Sequence, residues 1–271
     1  MCCALIFATA VGCQGDAAGD RPRSAVGMPA TSAHAAVSAG EVVIAKQPTP
    51  YASAPVTAPG SVTGAVTLKG PVASIPAFRT GRDSSICGPN VNDDSMVLQG
   101  AGLTGVVVWL DGVRTGKAFG LERRVELESN RCKLLPRVQA AAVGSAVNIL
   151  GHDALRQHLR FFVTGEAAPR AMILLGGGEQ VIPTELPFKT PGMVAVSDID
   201  HPWMHAYVAV FDQPYFAVTA SDGSFTIDGV PPGKYTLHAW HERTGSVTQA
   251  VEVPANGAAR VTVMLEEKVP R

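Results

Sequence analysis

Two imidazoles, a thioether and two carboxylates fall within eight residues, Asp198-Ile199-Asp200-His201-Pro202-Trp203-Met204-His205. Val194-Ala195-Val196 before this octapeptide and Tyr207-Val208-Ala209-Val210 after it are short apolar runs of strand length. The octapeptide therefore reads as a tight loop between two strands. A His and a Met three apart on a loop can face one point, and imidazole plus thioether is a donor pair that suits copper. His201 and His205 have a plainer reading beside this one, as surface imidazoles at a turn.

The elements that must hold this loop are strands. Gly is 28 and Pro is 20 of 271 residues, and Val recurs in short runs. That mixture favours an all-β fold with many turns. Ser61–Leu68 alternates with period two and ends at Gly70-Pro71. Leu103–Leu110 is a continuous β-branched run closed by Asp111-Gly112, which reads as one buried strand. Val125–Glu128, Ala146–Leu150 and Leu159–Val163 are further strands. Residues 71–100 are irregular. After Tyr215, Gly-bearing turns at Asp222-Gly223 and Pro232-Gly233 separate alternating runs and predict an antiparallel meander. Residues 247–254 and 259–266 close the chain.

Charge and motif exclude several classes. The formal net charge is −1, so no nucleic-acid partner is expected. There is no Gly-x-Ser-x-Gly elbow, no P-loop and no dinucleotide fingerprint. The glycine run Gly176-Gly177-Gly178 opens no helix and reads as a loop. Nothing here points to an enzyme.

Residues 4–12 form a short apolar run before Cys13, too short to span a membrane. Ala10-Val11-Gly12-Cys13 resembles a bacterial lipobox, which implies lipidation of Cys13, a membrane partner through that lipid, and a periplasmic or outer-surface location. Two departures stand against it: no basic residues precede the run, and Ala10 replaces the usual Leu. Residues 14–60 are rich in Ala, Ser, Pro and Thr in no period and read as a disordered tether. Cys2, Cys3 and Cys13 belong to the leader, which leaves Cys87 and Cys132 in the folded region. An exported protein can oxidise them. A Cys87–Cys132 disulfide is expected, closing a loop worth roughly 3–4 kcal/mol in chain entropy.

Two families resemble parts of the chain. Cys132…Pro136-Arg137-Val138, Gly144–Ile149, Asp153…His158, Pro191–Val196 and His201-Pro202-Trp203-Met204 together resemble a bacterial plastocyanin-like cupredoxin domain. Asp222-Gly223-Ser224-Phe225 with Val230-Pro231-Pro232-Gly233-Lys234-Tyr235 resembles the carboxypeptidase regulatory-like, transthyretin-like module, a non-catalytic β-sandwich sometimes classed with carbohydrate-binding-like folds. The resemblance implies this division: leader 1–13, tether 14–60, opening strands of the regulatory-like module 61–119, cupredoxin-like sandwich 120–212, and the rest of the regulatory-like module 213–268. The cupredoxin-like part then stands either ahead of that module or inserted into it.

In cupredoxins two His, a Cys thiolate and often a Met hold copper. Carried over, His158 and His201 match the imidazole ligands and Met204 the thioether. The thiolate position, three residues before the second His, is Asp198. Without a thiolate a blue centre cannot form, because the Cu–thiolate bond generates it. A His158–His201–Asp198 set with Met204 would suit Cu(II), Zn(II) or another divalent ion instead. Two readings follow. One is a non-catalytic envelope lipoprotein that binds or scaffolds a protein or glycan partner. The other is a copper-binding or electron-transfer metalloprotein. Asp198 is the residue that separates them.

Overall fold

The computed structural model describes residues 44, 50–120, 124–184 and 188–267. The leader with Cys13, most of the tether and the tail from Lys268 lie outside the described residues.

The longer strands run in this order. Gly60–Lys69 (β1) and Val107–Asp111 (β2) come first. Then follow Arg124–Asn130 (β3), Lys133–Leu135 (β4), Val138–Ala142 (β5), Ala146–Gly151 (β6), Gln157–Val163 (β7), Ala171–Leu175 (β8), Gln180–Thr184 (β9), Gly192–Asp198 (β10) and His205–Phe211 (β11). The last set is Phe216–Val218 (β12), Ser224–Val230 (β13), Gly233–His241 (β14), Gly245–Val253 (β15) and Ala258–Glu266 (β16). The all-β expectation holds.

Strands β3 to β11 make two sheets, ordered β4-β3-β6-β9 and β5-β11-β10-β7-β8. Their shared core includes Leu127, Ile149, Leu159, Phe161, Val194, Val196, Trp203 and Met204. The strands before and after this stretch of chain make two other sheets. In one, β2 lies between β12 and β14, and β15 pairs with β14. In the other, β1 pairs antiparallel with β13 and parallel with β16. Val62, Leu103, Val108, Tyr215, Ile227 and Leu265 fill that second core.

A third apolar cluster joins the two sandwiches: Ile44, Val107, Trp109, Met193, Tyr207, Ala209, Phe211 and Trp240. It explains the continuous apolar runs. In β11, Ala206, Val208 and Val210 face the inner core, while Tyr207, Ala209 and Phe211 face the junction. In β2, Val108 and Leu110 face one core, and Val107 and Trp109 face the junction. A strand buried on both faces has no polar positions to alternate.

Three sequence expectations are corrected. The run Leu103–Leu110 is not one strand. Gly102–Leu103 pairs with Leu98–Gln99, whereas β2 belongs to the opposite sheet. Gly105, at φ 72°, turns the chain between them. Thr219 clamps that turn, its hydroxyl donating to Leu103 O at 2.7 Å and accepting from Val106 N at 2.9 Å.

The strands after Tyr215 do not form a meander. β12 pairs with β2, β13 crosses to β1, and β14 returns to β2. Both Gly turns are arches between sheets. The crossing puts Phe225 and Ile227 from one sheet and Leu237 and Ala239 from the other on the same core.

Order also begins before Ser61. Ala52–Ser53 pairs in parallel with Thr115–Gly116. The Tyr51 hydroxyl donates to Lys117 O at 2.6 Å, and Ile44 is buried in the junction. Average composition hides one tyrosine and one isoleucine that each find a socket.

Candidate functional site

The octapeptide leaves β10 at its last residue and re-enters the sheet at the first residue of β11. Antiparallel pairing sets Ser197 opposite His205 and Leu159 opposite Asp198. The loop closes on itself through Asp198 N to Met204 O at 3.1 Å and Met204 N to His201 O at 2.8 Å. Met204 has no exposed surface and its thioether belongs to the inner core. The Trp203 indole donates to Cys132 O at 3.0 Å, and its ring lies edge-on to His201, 5.4 Å between centroids.

Asp198 organises this loop. Its side chain has no exposed surface. Oδ1 accepts from Asp200 N at 3.0 Å and from His158 N at 3.2 Å. The first is an Asx turn, in which the side chain replaces a backbone acceptor two residues on. Oδ2 lies 2.7 Å from His201 Nδ1. A carboxylate only accepts, so Nδ1 carries the proton. Three donors thus meet one buried carboxylate, and each would be an orphan without it.

The two imidazoles read as ligands sit differently. His201 is 2 % exposed, its Nε2 lying 3.4 Å from the Asp83 carboxylate. The hydrogen bond to Asp198 raises its pKa above the usual histidine value, with further help from Asp83 and Asp200 against the cost of burial. His158 is half-buried, and its Nδ1 lies 2.7 Å from Asp200 Oδ2. That bond lowers the Asp200 pKa, with Arg82 3.8 Å away on the other carboxylate oxygen. The reading of His201 as a surface imidazole is therefore corrected. Asp83, ahead of the cysteine loop, faces its Nε2.

Of the four residues named as ligands, His201 and the His158 backbone meet the Asp198 carboxylate, while the Met204 thioether lies in the inner core. Nδ1 of His201 is committed to Asp198, and Nδ1 of His158 to Asp200. Among the described residues no group of three or more His, Cys, Asp or Glu side chains is disposed to hold a metal ion. As placed, these residues do not fit copper or another divalent ion.

The cysteines meet as expected. Cys87 and Cys132 are bonded, with Cα atoms 5.6 Å apart. Cys132 is buried in the inner core and Cys87 packs against it.

Sequence reasoning missed a second polar cluster. Arg137 Nε and Nη2 donate to Glu242 at 2.5 and 2.8 Å. Arg137 Nη1 also donates to Asp94 at 3.0 Å, and Lys133 donates to the same carboxylate at 2.8 Å. Burial raises the Glu242 pKa, opposed by Arg137. His205 belongs to this cluster and not to the loop site. Burial lowers its pKa to about 4, and Arg137 pushes the same way. His241 is likewise lowered to about 4, by burial and then by Arg137 and Arg243. Arg137 and Glu242 are 105 residues apart, so no local spacing signals their pairing.

Comparison with known proteins supplies one family match. Residues 192–266 match the carboxypeptidase regulatory-like domain, which is under half of the chain. The match begins at the first residue of β10, so it takes in the Asp198 loop, but β1 and β2 lie outside it. No curated protein matches the chain. Among solved structures it is similar to amicyanin from Paracoccus versutus, at 22 % identity over 32 % of this chain and 81 % of that one, TM-score 0.27. A purple cupredoxin from Nitrosopumilus maritimus is similar at 15 % identity over 32 % of this chain and 99 % of that one, TM-score 0.27. A copper-containing nitrite reductase from Thermus scotoductus is similar at 18 % identity over 44 % of this chain and 26 % of that one, TM-score 0.27.

Proposed function

We propose that this chain is a non-catalytic, extracytoplasmic binding or scaffolding protein, held at the cell envelope by lipid on Cys13. Its cupredoxin-like sandwich, 120–212, is inserted into the regulatory-like module formed by 61–119 and 213–268. Its partner is a protein or a glycan of the envelope. One observation carries this reading. The carboxylate at the position of the cupredoxin thiolate accepts hydrogen bonds from His158 N, Asp200 N and His201 Nδ1. A ligand position has become a staple for a loop. The loop then presents β10 and β11 to the junction, where Met193, Tyr207 and Phe211 meet the regulatory-like strands.

The runner-up reading is a copper-binding or electron-transfer protein. It is favoured by the gathering of His158, His201, Met204 and Asp198 in one loop system, and it requires His201 Nδ1 to leave Asp198 for a metal. Titration with Cu(II), followed by calorimetry, distinguishes the two. Neither reading expects intense blue absorption from the unaltered protein, since the charge-transfer donor is missing. The staple reading expects no stoichiometric binding at this loop; one-to-one binding that His201→Ala abolishes would overturn it. Asp198→Cys serves as the companion variant. If it turns blue, the outer shell still supports a copper site; if it stays colourless, the shell has drifted as well.

A further inference from the structure

The segment from Thr80 to Pro89 lies over the Asp198 site. It brings Asp83 to His201 Nε2 and Arg82 to Asp200. Its flanks are fixed. Phe78–Arg79 pairs with Asn90–Val91, Val91 is buried in the inner core, and Thr80 bonds back to Pro89 and Gly88. Its middle is not. The helical turns Gly81–Asp83 and Ser84–Cys87 contain no buried residue, and Ile86 is 45 % exposed. The Arg82 pair is long and exposed, so it contributes little. Besides the single contact of Asp83 with His201, what anchors this middle is the bond from Cys87 to Cys132.

The two sulfurs are unequal. Cys132 is 1 % exposed, and its backbone is fixed on both sides by Trp203 Nε1 to its carbonyl and by its N–H to Asp153 at 2.9 Å. Cys87 is only partly buried, on the segment with no buried residue in its helical turns. We propose that the Cys87–Cys132 disulfide is a redox catch on a lid: a dithiol reductant that opens it lifts residues 81–87 off the Asp198 site and uncovers His201.

The exchange balances. A thiolate of the reductant attacks Cys87 Sγ, the Cys87–Cys132 bond breaks, and Cys132 leaves as thiolate and takes a proton. The reductant's second thiol attacks the mixed disulfide and displaces Cys87, and the reductant departs as its own disulfide. Two electrons pass from the dithiol to the cystine. Asp198 keeps Nδ1 of His201, so Nε2 is the atom that reaches solvent. In an oxidising compartment the lid stays shut until a partner dithiol arrives.

The test is carbethoxylation of histidines by diethyl pyrocarbonate, mapped by mass spectrometry before and after reduction with a dithiol. His158, with a side chain 41 % exposed, is the accessible reference and His241 the buried one. Reduction should raise His201 labelling by about tenfold or more, as expected of a local opening, while His241 stays protected. Cys87→Ser/Cys132→Ser should match the reduced protein. Asp83→Ala with the disulfide intact should leave His201 protected. The proposal fails if His201 stays protected after reduction. It fails equally if His241 becomes reactive in step with His201, which is global unfolding, or if Asp83→Ala alone exposes His201.

Discussion

His201 and His205 lie four residues apart on one short loop and the strand it enters, yet their pKa values are pushed in opposite directions. His201 is hydrogen-bonded to Asp198 and faces Asp83, and its pKa is raised. His205 turns to the other side of the sheet, where burial and Arg137 lower its pKa to about 4. The same side chain four residues on is steered by whichever charge the fold brings to it from far away. In the loop site the imidazole is tied to carboxylates. In the junction cluster Arg137 has already taken Glu242 and Asp94, and the neighbouring histidines stay neutral. The lesson concerns function as much as stability. Neither histidine has both ring nitrogens free and a soft donor beside it, although both lie in a sequence suited to copper.

The largest expected effect is at the junction. Glu242→Ala leaves the Arg137 guanidinium, 15 % exposed at its side chain, without its bidentate acceptor. Stability should drop by about 3–5 kcal/mol, read by denaturant unfolding, because the buried charge keeps only the more exposed Asp94 as a partner. A loss below about 1 kcal/mol, the range of exposed pairs, would show that the cluster is solvated.

Acid comes next. His205 and His241 have folded pKa values of about 4 against a reference of 6.5. Above 6.5 both are neutral whether folded or unfolded. As pH falls from 6.5 towards 4 the unfolded chain binds protons that the folded chain refuses, so stability falls. The slope is up to about 1.4 kcal/mol per pH unit for each histidine. His201 acts in the opposite sense. Its raised pKa contributes stability that is complete below 6.5 and is lost as pH rises through the folded value. His205→Asn/His241→Asn should flatten the acid limb and spare the alkaline one. An unchanged acid limb would assign it to carboxylates instead.

Smaller effects belong to the loop. Asp198→Asn keeps an acceptor for the two backbone N–H groups but loses the charge on His201. It should cost about 1–3 kcal/mol and abolish the alkaline limb, with the His201 NMR titration moving down. His158→Ala, which removes an exposed pair with Asp200, should cost no more than about 1 kcal/mol. If the two variants cost the same, Asp198 is not the organising group.

Much of this was legible in the sequence, for identifiable reasons. The strands β1, β6, β13 and β14 alternate or stop at Gly and Pro, and those signals are local. The cysteine pair was legible because the folded region holds only two. Asp198 stood out because it replaces a soft donor in an otherwise matching loop. What was not legible is how loops cross. The Gly223 and Gly233 turns look like hairpins, and only the shared core reveals them as arches. Leu103 and Val107 read as one strand because both are buried, although they serve different sheets. Asp83 and Glu242 carry no local signal, since their partners lie more than a hundred residues off in sequence. A carboxylate at a ligand position reads as a hard ligand until its three hydrogen bonds are seen.

The central claim is that Asp198 spends its carboxylate on the protein's own donors and leaves no metal site. The most direct test is the metal content of the protein purified without added metal, measured by inductively coupled plasma mass spectrometry beside a His201→Ala control. The account predicts copper, zinc and nickel far below stoichiometry in both. Stoichiometric metal in the unaltered protein that disappears with His201→Ala would contradict it.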